Sequence, residues 1–77
     1  MNVKIYSTPT CPWCMKTKEF LKEHKIKFSD IDVSKNSRAA HEMVDKSGQM
    51  GVPVIDIDGK IIVGFDEAEL RRTLKIK

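Results

Sequence analysis

Cys11 and Cys14 are the only cysteines in the chain, held in the stretch "STPTCPWCMK" that spans residues 7–16. Two thiols at this spacing can form a static crosslink, half of a metal site, or a disulfide that opens and closes. The first gains little, because bridging so short a loop removes little entropy from the unfolded chain. Zinc needs two further ligands, and the only histidines, His24 and His41, give a Cys-x2-Cys-x9-His-x16-His pattern. Finger sites use roughly 12–15 and then 3–5 residues between those ligands. Both histidines therefore read as ordinary helix residues and no metal is assigned. Reversible dithiol-disulfide exchange is the chemistry that fits.

That chemistry requires a thiolate. At the entrance of a helix, a Cys11 sulfur would face N–H groups without internal partners and the positive end of the helix dipole. These are the settings in which a cysteine ionises below its free pKa of about 8.5. Cys11 is thus the expected nucleophile. Three residues on, Cys14 falls on the same side of the helix, near enough for a disulfide, and is the expected resolving residue. Pro12 suits the first helical position, where its missing N–H removes no internal bond. Trp13, the lone tryptophan, is either a flat apolar contact for an approaching partner or a spacer that shapes the turn.

The elements that position this pair follow from the hydrophobic pattern. "NVKIYS" alternates and reads as a first strand ending at Thr8-Pro9, and residues 12–25 form a helix with Cys14, Thr17, Phe20, Leu21 and His24 on one face. "KIKFSDIDV" supplies a second strand through Ile26 and Phe28, extending to Ile31 and Val33. From Arg38 a second helix sets Ala40, Met43, Val44 and Ser47 on one face, with Gly48 as its C-terminal cap. "VPVIDI" and "KIIVG" flank Asp58-Gly59, a two-residue hairpin signal. "DEAELRRTLKI" starts with Asp66 and Glu69 in a capping-box pattern, with Leu70, Thr73 and Leu74 on one face. The order β-α-β-α-β-β-α implies a parallel pair joined by a helical crossover and an antiparallel hairpin in one four-stranded mixed sheet, covered by three helices. Val52-Pro53, at the mouth of the third strand, reads from the residues alone as a strand-start proline.

Composition narrows the function. The 77 residues suit one domain, spanning 1–77. Its 14 basic and 11 acidic residues give a net charge of +3 and are interleaved, so no nucleic-acid module stands out. The longest apolar runs, such as Ile61-Ile62-Val63, span three residues, far short of the ~20 a membrane helix needs. "MNVKIYS" lacks the parts of a secretory signal, so a cytoplasmic setting is expected, where an isolated thiol pair is more often catalytic or metal-binding than structural.

"TCPWC" after a first strand, "GVPV" before a hairpin and "VGFDEAEL" at the last helix together resemble the glutaredoxins of the thioredoxin superfamily over nearly the whole chain. The resemblance implies a thioredoxin-like fold and a dithiol-disulfide oxidoreductase acting on protein or small-molecule disulfides. It also implies a cis bond before Pro53, with the Val52 backbone pairing to the substrate. Gly64, Phe65 and Asp66 would hold the γ-glutamyl end of glutathione. No tightly bound cofactor is implied, only glutathione as co-substrate, and the chain is expected to act as a monomer. Departures are specific. Thr8 stands where glutathione-using members carry a lysine, Gly51 replaces the threonine of Thr-Val-Pro, and Val63-Gly64 replaces Gly-Gly. Gln49 is a candidate for a substitute polar contact. "GF" at Gly64-Phe65 is similar to proteins that donate electrons to ribonucleotide reductase and are recharged by thioredoxin reductase, which usually continue Arg-Pro where this chain has Asp66-Glu67. Two electron sources, glutathione and thioredoxin reductase, stay open. Some members instead carry an iron–sulfur cluster between two subunits through the first cysteine.

Overall fold

A computed structural model describes residues 2–76. Alternating apolar residues make β1 (Val3–Ser7) two-faced, and it becomes an inner strand of a four-stranded sheet ordered β2-β1-β3-β4. β2 (Ser29–Asp32) runs parallel to it, while β3 (Val54–Ile57) pairs antiparallel with both β1 and β4 (Lys60–Val63). Helices α1 (Pro12–Glu23), α2 (Ser37–Ser47) and α3 (Glu67–Leu74) complete the expected order. The chain has an α/β, thioredoxin-like architecture.

Period-two alternation divides the core. Val3, Ile5, Ile55, Ile57 and Ile62 point to one face, where Phe20 and Leu21 of α1 and Leu70 and Leu74 of α3 cover them. Tyr6 and Val54 point to the other, against Ala39 and Met43 of α2. Asp58 and Gly59 take φ of 50° and 95°, the left-handed pair that a two-residue hairpin turn demands, and the Asp56 carboxylate accepts the Gly59 N–H at 2.8 Å.

Four expectations need adjustment. β2 begins at Ser29, because Ile26 sends its N–H back to the Leu21 carbonyl (2.9 Å) to finish the helix end, and the strand has partners only along Lys4–Ser7. Ile26 and Phe28 pack half-buried against the larger core. The α2 stripe is centred on Ala39 and Met43, so Ala39, not Ala40, is buried, and Asn36 caps the helix by accepting the Ala39 N–H at 3.0 Å. β3 starts at Val54, since Pro53 has no N–H to give a ladder. At α3 only half of the capping box forms. Asp66 accepts the Glu69 N–H at 3.1 Å, but Glu69 turns to Lys60 and Arg72, and the Asp66 N–H goes to the Gly64 carbonyl.

Candidate active site

The chain leaves β1 at Ser7 and turns through Thr8 to Thr10 into α1, so Cys11 becomes the N-cap residue, with φ −95° and ψ 111°. Its sulfur accepts the Cys14 N–H at 3.2 Å. A helix-start donor is thereby turned onto Sγ. The Cys11 thiol also reaches the Val52 carbonyl at 3.9 Å, across the loop before β3. Cys11 is half-buried and Cys14 has no exposed surface; both are free thiols.

Burial separates the two sulfurs chemically. It pushes the Cys14 thiol up to about 11, and contact with Cys11 adds to the rise, while the Thr8 backbone and Lys18 work in the opposite direction. Lys18 is a residue that thiol spacing alone does not single out. It lies four positions after Cys14 on one helix and pairs with Asp30 at 2.8 Å. Burial disfavours charge on Asp30, yet Lys18 and the Ser7 hydroxyl, 2.8 Å away, outweigh it and hold its carboxyl below the usual range.

Beside Cys11 an open groove of about 240 Å³ is lined by Trp13, Val52, Pro53, Gly64 and Phe65. The Val52-Pro53 bond is cis. The Pro53 carbonyl accepts the Gly64 N–H at 2.8 Å, which draws the segment before α3 against the loop before β3. Trp13 is 55% exposed and stacks on Phe65 with centroids 6.2 Å apart, while Lys16 Nζ sits 4.8 Å from its ring centre. Phe65 in turn meets Phe20 edge-on at 5.9 Å. Trp13 therefore forms the groove wall, a position suited to apolar contact.

The remaining candidates sit differently. Thr8 contributes backbone: its carbonyl accepts the Cys11 N–H at 3.4 Å. Asp66 caps α3, and two N–H groups of the segment, those of Gly64 and Asp66, have internal acceptors. Gln49 does not line the groove; its side-chain amide binds the backbone of Gly51. Among the described residues no group of three or more His, Cys, Asp or Glu side chains is arranged to hold a metal ion, and no helix is long and apolar enough to cross a membrane.

The Glutaredoxin family profile matches residues 3–62, which covers both thiols, the cis proline and the hairpin turn. The chain belongs to the glutaredoxin family. An 8.6 kDa glutaredoxin-like protein in the rubredoxin operon of Clostridium pasteurianum is 55% identical over 73 residues, covering 95% of this chain and 97% of its own. Among solved structures, the thioredoxin-like protein BC3987, as a T8A mutant, superposes with a TM-score of 0.93 at 30% identity, covering 99% and 97% of the two chains. NrdH-redoxin of Escherichia coli, a glutaredoxin-like protein with a thioredoxin-like activity profile, gives 0.84 at 25% identity, covering 94% and 93%. Within the glutaredoxin family, then, this chain is similar both to a short operon-encoded redoxin and to one whose activity is thioredoxin-like.

Proposed function

We propose that the protein is a dithiol-disulfide oxidoreductase. The observation that carries this reading is the asymmetric pair: a half-buried Cys11 at a helix start, with the fully buried Cys14 thiol one turn behind it. The Cys11 thiolate attacks one sulfur of a substrate disulfide, so a Cys11–substrate bond forms and the other thiolate leaves. Cys14 then attacks Cys11. The intramolecular disulfide forms, and the substrate departs as a thiolate that takes up the proton Cys14 releases. Two electrons pass from the dithiol to the substrate, and a reductant restores the pair.

Support for the reductant comes from the groove's charges. A glutathione carboxylate finds Thr8 where a lysine would meet it, a Gln49 amide already bonded within its loop, and an α3 start that carries Asp66, Glu67 and Glu69. Helix starts favour anions, but this one supplies its own. These features favour recharging by thioredoxin reductase, a reading that the likeness to NrdH-redoxin supports.

Turnover of a model disulfide with NADPH and either glutathione plus glutathione reductase or thioredoxin reductase separates the two. Turnover only with thioredoxin reductase is expected, and efficient turnover with glutathione rejects that assignment. Cys11→Ser is expected to abolish turnover with either system, whereas Cys14→Ser accumulates a mixed disulfide visible by mass spectrometry. Undiminished activity in Cys11→Ser removes the mechanism.

A further inference from the structure

The loop that carries Val52 to Cys11 is held in an unusual way. At one end the Gly48 N–H donates to Val44 at 2.7 Å, and at the other the Pro53 carbonyl accepts from Gly64. Between them, among the described residues, no backbone–backbone hydrogen bond involves residues 49–52. Met50 offers no anchor, being 81% exposed. A side chain supplies the order. Gln49 Oε1 accepts the Gly51 N–H at 2.6 Å and Gln49 Nε2 donates to the Gly51 carbonyl at 2.9 Å, closing a ring on both polar groups of one residue. The Ser47 hydroxyl, whose single hydrogen has the Met43 carbonyl at 2.7 Å and the Gln49 carbonyl at 3.0 Å as alternative acceptors, itself accepts from Gln49 Nε2 at 3.4 Å and ties that ring to the last turn of α2.

Gly51 is what makes room. A Cβ there would lie 2.7 Å from Gln49 Oε1, and no left-handed φ requires glycine at this position. Backbone strain does not explain the residue; the amide does. A side chain at 51 would be tolerated by the chain and would push the Gln49 amide aside.

We propose that Gln49 is a positioning residue for disulfide exchange. Its amide ring on Gly51 holds the preceding loop so that Val52 faces Cys11 already ordered, and Gly51 is the partner that permits the ring. The inference rests on the oxidoreductase reading, with Val52 as the backbone that an extended substrate meets. A peptide disulfide, which lies along that loop, then binds a surface ordered in advance. A small disulfide without a peptide backbone reaches Cys11 without using it.

The test is single-turnover reduction by the pre-reduced protein, which is independent of the electron source. A disulfide-bridged peptide is compared with 2-hydroxyethyl disulfide. Gln49→Ala is expected to raise the half-saturating peptide concentration about tenfold, the cost of re-ordering roughly one backbone residue on binding, with the maximal rate and the small-disulfide rate unchanged. Gln49→Met, which keeps length without the amide, behaves like Gln49→Ala. Gly51→Ala gives the same loss, and the double variant Gln49→Ala/Gly51→Ala is no worse than either single one, because each opens the same ring. Amide exchange at Gly51, slow in the wild type, accelerates in Gln49→Ala. Additive losses, equal losses for both substrates, or wild-type peptide kinetics in Gln49→Ala would overturn the role while leaving the oxidoreductase reading intact. A wild-type protein that reduces neither disulfide overturns both.

Discussion

Cys14 shows how one residue's surroundings set chemically identical groups apart. Its thiol has no exposed surface and is pushed up to about 11, while Cys11, three residues away, is half-buried. With the reduced protein at pH 7.5, iodoacetamide is expected to label Cys11 alone, with Cys14 labelled only as the pH climbs toward 11. Labelling of both at equal rates near neutrality contradicts the burial. The placement of Cys11 at a helix start and of Cys14 one turn behind it was legible from sequence, because Pro12 and the helical apolar spacing after it mark where the helix begins. Lys18 and Asp30 were not, since the strand register that brings Asp30 opposite Ile5 is a tertiary fact. Nor was the Gln49–Gly51 ring, which depends on the path of a loop without periodicity.

At the scale of elements, period and punctuation carried most of the fold. The Asp58-Gly59 turn, the Gly48 cap with φ 74° and the Asp66 cap all lie where residue type alone suggested. Misplacements occurred where the pattern was degenerate. Ala39 and Ala40 are adjacent and equally apolar, so contact with Tyr6 and Val54, not composition, decides which is buried. β2 reads Ser-Asp-Ile-Asp because it is an edge strand, and edges favour charge over the apolar run that sequence reading looked for. Caps offer a direct check. Asn36→Ala removes the acceptor at the start of α2, away from the thiols, and is expected to cost about 1 kcal/mol. In a domain of this size that lowers Tm by about 4–8 °C. Turnover at 25 °C should be unchanged, so a loss of activity without a Tm shift would argue against a purely capping role.

For the whole molecule, one polar cluster joins three elements across the α2 face. Lys46 meets Asp56 at 2.7 Å, Glu42 at 3.0 Å and the Tyr6 hydroxyl at 3.2 Å. These contacts, Asp56 first, raise the Lys46 ammonium above its ordinary range. Burial opposes charge on Asp56, but Lys46 and the Gly59 N–H outweigh it and hold that carboxyl low. The signs fix a stability window. Depressed carboxyls at Asp30 and Asp56 stabilise above the ordinary carboxylate value of about 4 and lose that contribution as pH falls through their lower folded values. The raised Cys14 thiol stabilises below about 8.5, and that contribution is lost as pH rises from there toward about 11. Thermal melts of the reduced protein should therefore show a plateau near neutrality, with Tm falling at both pH 3 and pH 10.5. Lys46→Met strands the nearly buried Asp56 and is expected to cost about 2 kcal/mol at pH 7, with a shallower acid limb. Flat melts from pH 3 to 10.5 would remove these groups from the account.

The stacking of Trp13 on Phe65 gives the molecule an intrinsic optical reporter. The chain has a single indole, and it forms one wall of the groove with about half its surface in water. Its emission therefore arises from one place, the groove beside Cys11. A partner that settled into the groove would strip solvent from that ring and move the band toward shorter wavelength, so association would be read in real time on unlabelled protein, separately from any thiol exchange.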